Sequence, residues 1–349
     1  MLLAKENHMQ ISLAPLEGIT GYVVRNAFHH NFDGIDTFYT PFISAGQNLK
    51  GKVLRDILPE NNEGITLIPQ LMSNRTEDVL RVSRLLASYG YDQINLNIGC
   101  PSGTVTSKKR GAGLLTDLAL LDQFLEDVFA QTDLKISVKT RIGFHSDEEW
   151  PAILEIYKKY PIEELIIHPR VREEFYKGTP HLDCFGQAVQ AYAAKDGTDN
   201  VDASCTTLCY NGDIASVDNC RAILKKFPGI DHIMIGRGLI SHPSLAAEIK
   251  FAQQNDAPAH PRYSDAEYRE RIGAFHDEIY SNLSANFSGE KDAMLHMKEI
   301  WGFLKNSFAG SDKAVKKILK SQNCMEYKIA VQGLLGNPQE YPVLPFRFH

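Results

Sequence analysis

TLIPQLMSNRTEDVLRVSRLLASYGYDQINLNIG, residues 66–99, contains one complete strand, helix and strand unit. Its ends, TLIPQL (66–71) and QINLNIG (93–99), are short β-rich runs, as strands of a buried parallel sheet should be. Between them Val79, Val82, Leu85 and Leu86 recur at helical spacing, and Gly90 stands where a helix can end in a left-handed residue. Strands joined through a helix run parallel. The next unit repeats the order, because LTDLALLDQFLEDVFAQ (115–131) offers Thr116 or Asp117 as an N-cap ahead of Leu118, Leu121, Leu125 and Phe129.

Six further β-rich runs alternate with helix-like stretches: ISLAPL (11–16), DTFYTPF (36–42), KISVKT (135–140), ELIIHPR (164–170), TTLCYNG (206–212) and DHIMIGRG (231–238). Eight such steps predict an α/β fold of the closed (β/α)8 TIM-barrel type. No GxGxxG follows the first strand to favour a doubly wound sheet. The pattern breaks in FAQQNDAPAHPRYSD (251–265), which predicts a boundary near residue 258. Beyond it, the runs 264–283, 290–308, 310–323 and 324–335 read as amphipathic helices. The expected organisation is a catalytic barrel over residues 1–257 and a small all-helical C-terminal domain over 258–349.

With 43% hydrophobic and 23% charged residues, the chain is neither collagenous nor largely disordered. Its 37 Lys and Arg against 43 Asp and Glu give a net charge of -6, which excludes a uniformly basic nucleic-acid coat but leaves room for a local basic groove. Such a face could be built from Lys298, Lys305, Lys313, Lys316, Lys317 and Lys320, which otherwise form a solvated helix face. Trp301, Phe303 and Phe308 read as helix core, with RNA stacking as the alternative. Six cysteines without a CxxC pair argue against a disulfide framework and for a reducing compartment. Cys205 and Cys209 read as isolated thiols, and no metal is expected. MLLAKENHMQISLAP lacks a basic leader with a sustained apolar run, and no segment approaches the ~18 apolar residues of a membrane span. A cytoplasmic, monomeric protein with no membrane role is expected.

In a barrel, strand ends and the loops after them share one rim, where active sites gather. Gln70, Asn95, Asn97, Cys100, Lys139, Arg141, His168, Arg170, Asn211, Asp213 and Arg237 all fall there. Within INLNIGCPSGTVTSKKRGAGLL (94–115), Gly99, Gly103, Gly111 and Gly113 allow tight turns or a flat ligand, and Pro101 restricts the chain after Cys100. That cysteine could act as a proton donor, as a nucleophile, or simply as a small buried residue in a turn. Lys139 and Arg141 alternate, so their side chains share a direction that suits an anion. Lys139 could form a Schiff base, balance a flavin's negative charge, or make a structural ion pair. His168 and Arg170 alternate likewise, for a heterocycle and a phosphate, or as polar core. Gly212 and Gly236, with Arg237, stand after strands seven and eight, where barrels commonly hold phosphate.

The succession LAPLEGIT (13–20), QLMSN (70–74), INLNIGCP (94–101), VKTRIG (138–143), IIHPR (166–170), YNGDI (210–214) and MIGRG (234–238) resembles the tRNA-dihydrouridine synthase family across nearly the whole chain. The resemblance implies an FMN-binding barrel with a helical tRNA-binding domain, NADPH as reductant and a tRNA uridine as substrate. It implies Cys100 as the residue that protonates uracil C5. FMN contacts would come from Pro15, Gln70, Lys139, His168, Asn211, Gly212, Asp213, Gly236 and Arg237, and substrate contacts from Asn97, Arg141 and Arg170. Ser107, Lys108, Lys109 and Arg110, after the cysteine loop, would bind RNA phosphate or form a solvated basic corner. The chain departs from the family pattern at Gly21, where aspartate is frequent, at Gly103, where lysine is common, at Pro169 in HPR, and at Tyr210 before NGDI. Two other readings remain: an FMN oxidoreductase of a small pyrimidine-like substrate, and a noncatalytic RNA-binding barrel.

Overall fold

The computed structural model describes residues 9–46, 49–193, 206–254, 263–286 and 289–344. Ten strand segments carry one sheet: β1 Gln10–Leu13, β2 Thr37–Tyr39, β3 Ile43–Ser44, β4 Leu67–Ile68, β5 Gln70–Met72, β6 Gln93–Ile98, β7 Lys135–Gly143, β8 Glu164–Val171, β9 Thr207–Tyr210 and β10 His232–Ile235. The strands lie in the order β3-β5-β6-β7-β8-β9-β10-β1-β2-β4, and the ladders from β3 through β10 and from β1 through β4 are parallel. The protein is thus an α/β fold with a large parallel sheet, followed by a C-terminal helical bundle.

Prolines explain where the strands differ from the sequence expectation. A proline cannot donate to a ladder. Pro41 follows β2, which ends at Tyr39 instead of running to residue 42, and the chain re-enters the sheet as the short β3. Pro69 divides the run expected over 66–71: β4 pairs with β2, whereas β5 pairs with β6 and β3. The two ends of the ladder order therefore include pieces of one chain segment, with Pro69 alone between β4 and β5, and Pro69 O accepts Asn95 N–H at 2.9 Å. The last run stops at Ile235, and Arg237–Ser241 is helical rather than strand.

Ala14, Tyr39, Ile68, Ile166, Cys209 and Met234 meet in one buried cluster, so the sheet curls around shared side chains. The Tyr39 hydroxyl donates to Glu164 Oε2 at 2.7 Å, and His232 Nδ1 lies 2.8 Å from Glu164 Oε1, which ties β2, β8 and β10 together. The two helices expected at 76–90 and 115–131 form as Thr76–Ser88 and Leu118–Phe129. The first buries Val79, Val82 and Leu86 and is followed by Gly90 at φ +91°; the second is capped by the Asp117 carboxylate, which accepts Leu120 N–H at 3.1 Å.

By compactness the chain forms two units. The first comprises residues up to Pro15, Thr37–Asp213 and Leu224–Met234; the second comprises Leu16–Asp36, Ile214–Ile223 and the chain from Ile235 onward. The sequence boundary near 258 lies outside the described residues. Four helices in the second unit, Asp265–Asn286, Glu290–Leu304, Asp312–Lys320 and Cys324–Leu335, match the four amphipathic runs. Trp301 is fully buried, donating from Nε1 to the Tyr327 hydroxyl at 3.1 Å, and Phe308 lies beneath Arg269. Both are core, which removes them as RNA-stacking surfaces; Phe303 is half-buried. Asp312–Lys320 buries Ala314, Val315 and Ile318 and leaves Lys313, Lys316, Lys317 and Lys320 exposed, as Lys305 also is. Lys298 is partly engaged, donating to Ser321 O. No helix among the described residues is long and apolar enough to cross a membrane.

Candidate active site

Alternation along β6 directs Asn95 and Asn97 to one face, and the register sets Gln70 beside Asn95 and Asn97 beside Lys139. The Gln70 amide is fully buried between the two asparagines, donating to Asn95 Oδ1 and accepting from Asn97 Nδ2, each at 2.8 Å. Asn95 in turn donates to Ser137 Oγ at 2.9 Å. With its own amine spent on Gln70, Asn97 turns its carbonyl to the cysteine loop and accepts both Gly99 N–H at 3.1 Å and Cys100 N–H at 2.9 Å. Gly111 backs onto that loop at φ +53°, and a Cβ there would lie 2.9 Å from Cys100 Cβ, so the position requires glycine on both counts.

Three consecutive carbonyls of the loop are held by three different donors. Gly99 O accepts from Arg141 Nε at 3.0 Å, Cys100 O from Ala112 N at 3.1 Å, and Pro101 O from Arg172 Nε at 2.9 Å. Cys100 itself is half-buried.

Lys139 and Arg141, expected to act as a pair toward one anion, do different things. Arg141 is buried and its remaining donors reach Val171 O at 2.9 Å and Phe175 O at 2.7 Å, so its guanidinium joins the cysteine loop to the segment after β8. Burial lowers its pKa to about 10. Lys139 is half-buried as a side chain, but its ammonium end is desolvated, and this, with the Arg141 charge, lowers its pKa to about 8; the Cys209 and Cys100 thiols act in the opposite sense. Among the described residues the Lys139 ammonium has no hydrogen-bond partner and no carboxylate in salt-bridge reach.

His168 and Arg170 are joined directly. Arg170 Nη1 lies 3.2 Å from His168 Nε2, and since a guanidinium can only donate, Nε2 accepts and Nδ1 carries the ring proton. Arg170 also donates to Lys177 O at 3.0 Å and Gly178 O at 2.6 Å and forms an ion pair with Asp213. The His168 ring stacks on Tyr176, with centroids 6.0 Å apart, and the Arg141 guanidinium lies over the same tyrosine ring, 5.6 Å from its centroid. Asn211 donates to Met234 O at 2.8 Å, fixing β9 to β10. A Cβ on Gly212 would meet the Tyr210 hydroxyl at 2.7 Å, so the YNG turn is closed tightly by its own tyrosine.

The first unit therefore brings Gln70, Asn97 and Cys100 together by direct bonds, sets Lys139 within electrostatic range of Cys100, and joins His168, Arg170 and Asp213. Pro15 is half-buried just beyond β1. Gly236 and Arg237 fall in the second unit, where Gly236 O accepts Leu239 N–H and starts the short helix, and Arg237 is exposed. Among the described residues no cluster of His, Cys, Asp and Glu is placed to hold a metal; Cys205 lies outside those residues, and burial pushes the Cys209 thiol pKa well up. The segment 172–178, with Arg172, Phe175 and Tyr176, was missed by sequence reasoning. Its only signal was an aromatic pair beside basic residues in VREEFYKG.

Comparison with known proteins agrees with the motif order. The family described as Dihydrouridine synthase (Dus) matches residues 12–332. A tRNA-dihydrouridine(16) synthase from Aquipseudomonas alcaligenes is 25% identical over 259 residues, covering 72% of this chain and 78% of the relative. A probable tRNA-dihydrouridine synthase from Staphylococcus epidermidis is 27% identical over 320 residues, covering 90% of each chain. One from Staphylococcus aureus is 29% identical over 234 residues, covering 66% of this chain and 68% of the relative. With a family match running from β1 to the last helix, over the cysteine loop and every strand end described above, the chain belongs to the dihydrouridine synthase family.

Proposed function

We propose that this protein reduces one uridine of tRNA to 5,6-dihydrouridine, using FMN as its redox group and NADPH as reductant. Lys139 is the observation that carries the reading. A desolvated ammonium without an acid to neutralise it suits an electron-rich or anionic ring, and the Nδ1–H of His168 suits the polar edge of a flavin, while Gln70 and Asn211, bonded to Asn97 and Met234, are proposed to contact it from the strand ends. Pro15, Gly212 and Asp213 complete the FMN contacts proposed for the first unit, and FMN held there would supply the two-electron relay between nicotinamide and uracil.

The protein's own part is proton supply and placement. The Cys100 thiol delivers a proton from Sγ to uracil C5 as hydride equivalents reach C6, and the fixed loop sets the distance over which it does so. Asn97, Arg141 and Arg170 hold the substrate side of the rim, Asn97 and Arg141 by shaping the cysteine loop and Arg170 through its bonds to the 172–178 segment. The uridine must leave its stack to reach such a rim, so the RNA body needs contacts elsewhere, which the helical C-terminal domain over 258–349 and the residues 107–110 provide. The continuity of β4 and β5 across Pro69 supports a closed (β/α)8 barrel over residues 1–257. A cytoplasmic monomer is proposed.

Purified protein should carry flavin, oxidise NADPH, and form dihydrouridine in tRNA lacking the modification, with free uridine left unchanged. Reduction of free pyrimidine in preference to tRNA would establish the small-substrate oxidoreductase instead. RNA binding without flavin or NADPH oxidation would leave only a binding role.

A further inference from the structure

We propose that Arg172 is a positioning residue for Cys100, clamping the cysteine loop from outside so that the thiol meets the uracil at one fixed place. This rests on the function proposed above. Arg172 is the first residue after β8, yet its hydrogen bonds go to the loop after β6: Nε to Pro101 O at 2.9 Å and Nη2 to Thr106 Oγ1 at 3.5 Å. The acids beside it in sequence are engaged elsewhere. Glu173 Oε1 lies 2.8 Å from His145 Nδ1, while Glu174 accepts Val171 N–H and sits 2.8 Å from His181 Nε2. No carboxylate among the described residues is within salt-bridge reach of Arg172, so the cysteine loop is its main polar partner.

Two further features aim the guanidinium. It lies between the Phe144 and Phe175 rings, at 5.2 and 5.0 Å from their centroids, which sets the plane of its donors. Gly103 presents no side chain to it, and a Cβ there would begin only 3.8 Å from Nη2. That is an ordinary contact distance, so the guanidinium lies directly against the cysteine turn at Gly103. A lysine at 172 could keep the charge but has no planar fork to serve Pro101 O from between two rings.

The test compares Arg172→Ala and Arg172→Lys with the wild-type holoenzyme in three measurements. For both variants, kcat for uridine reduction should fall by about tenfold or more, KM for tRNA should stay within about threefold, and NADPH-driven flavin reduction should keep its wild-type rate. Hydrogen exchange of the segment 97–115 should quicken in both while the helix Asp265–Asn286 exchanges as before. Unchanged exchange in 97–115, or an equal acceleration throughout the chain, would overturn the clamp. Full recovery of kcat by Arg172→Lys would also overturn it, in favour of charge alone. The exchange measurement needs no substrate: if the wild type fails to reduce tRNA, the proposed function falls while the clamp is still tested.

Discussion

At the scale of single residues, Cys100 and Lys139 make separable contributions. Removing the thiol leaves the proposed flavin contacts Gln70, Lys139 and His168 intact, so Cys100→Ala should retain FMN and its reduction by NADPH while losing most dihydrouridine formation; loss of flavin with the thiol would contradict the assignment. Lys139 carries a depressed pKa, about 8 against 10.5 for an ordinary lysine. Between those values the unfolded chain keeps a proton that the folded chain has released, so this group makes stability rise with pH through that window. Urea titrations at several pH values should show that rise in flavin-free wild type relative to Lys139→Met, and identical pH trends for the two would refute the desolvated ammonium. Strand alternation made Lys139, Arg141, His168 and Arg170 legible as inward polar pairs. Their division of labour was not legible, because the carbonyls that occupy Arg141 and Arg170 belong to Val171, Phe175, Lys177 and Gly178, whose folding back over the strand ends no local pattern announces.

At the scale of elements, the segment after β8 behaves as a strap. It turns through Phe175 at φ +53°, an uncommon conformation for a side-chain-bearing residue, and leaves Phe175 and Tyr176 40% and 48% exposed. His181 anchors its far end, 2.8 Å from Glu174 and 3.0 Å from Asp147. Burial opposes protonation of that imidazole, but the Glu174 and Asp147 carboxylates outweigh it and the pKa is raised from 6.5. The anchoring is therefore fully present below the ordinary histidine value and is lost as pH rises through the raised one. Proteolysis or hydrogen exchange of residues 172–181 should accelerate over that rise, and His181→Gln should abolish the pH dependence; a pH-independent strap in the wild type would count against this anchor. Element type was legible wherever periodicity ran for ten residues or more, as in Thr76–Ser88 and Leu118–Phe129. Strand ends were not, because Pro41 and Pro69 act on hydrogen bonds whose partners lie on other strands.

At the scale of the whole molecule, an overall charge of -6 means that the proposed attraction to RNA would have to come from local fields. The exposed Lys313, Lys316, Lys317 and Lys320 on a helix whose other face is core offer one such field. If they meet phosphate, Lys316→Gln with Lys317→Gln should weaken tRNA binding and make the slope of log affinity against log salt shallower by about 1 to 2; an unchanged slope would remove this face from the contact. The alternation of strands and helices was legible as a whole, but the inclusion of Tyr22–Asn31 with the C-terminal helices was not. That association depends on pairs such as Phe28 with Phe275, ring centroids 4.9 Å apart and remote in sequence, which no window of neighbouring residues contains. The three tethered carbonyls at Gly99, Cys100 and Pro101 bear on fidelity. A proton donor whose backbone cannot recoil does not follow a base that arrives tilted or late, so in the proposed reaction a wrong nucleotide is rejected by slow chemistry rather than by weak docking.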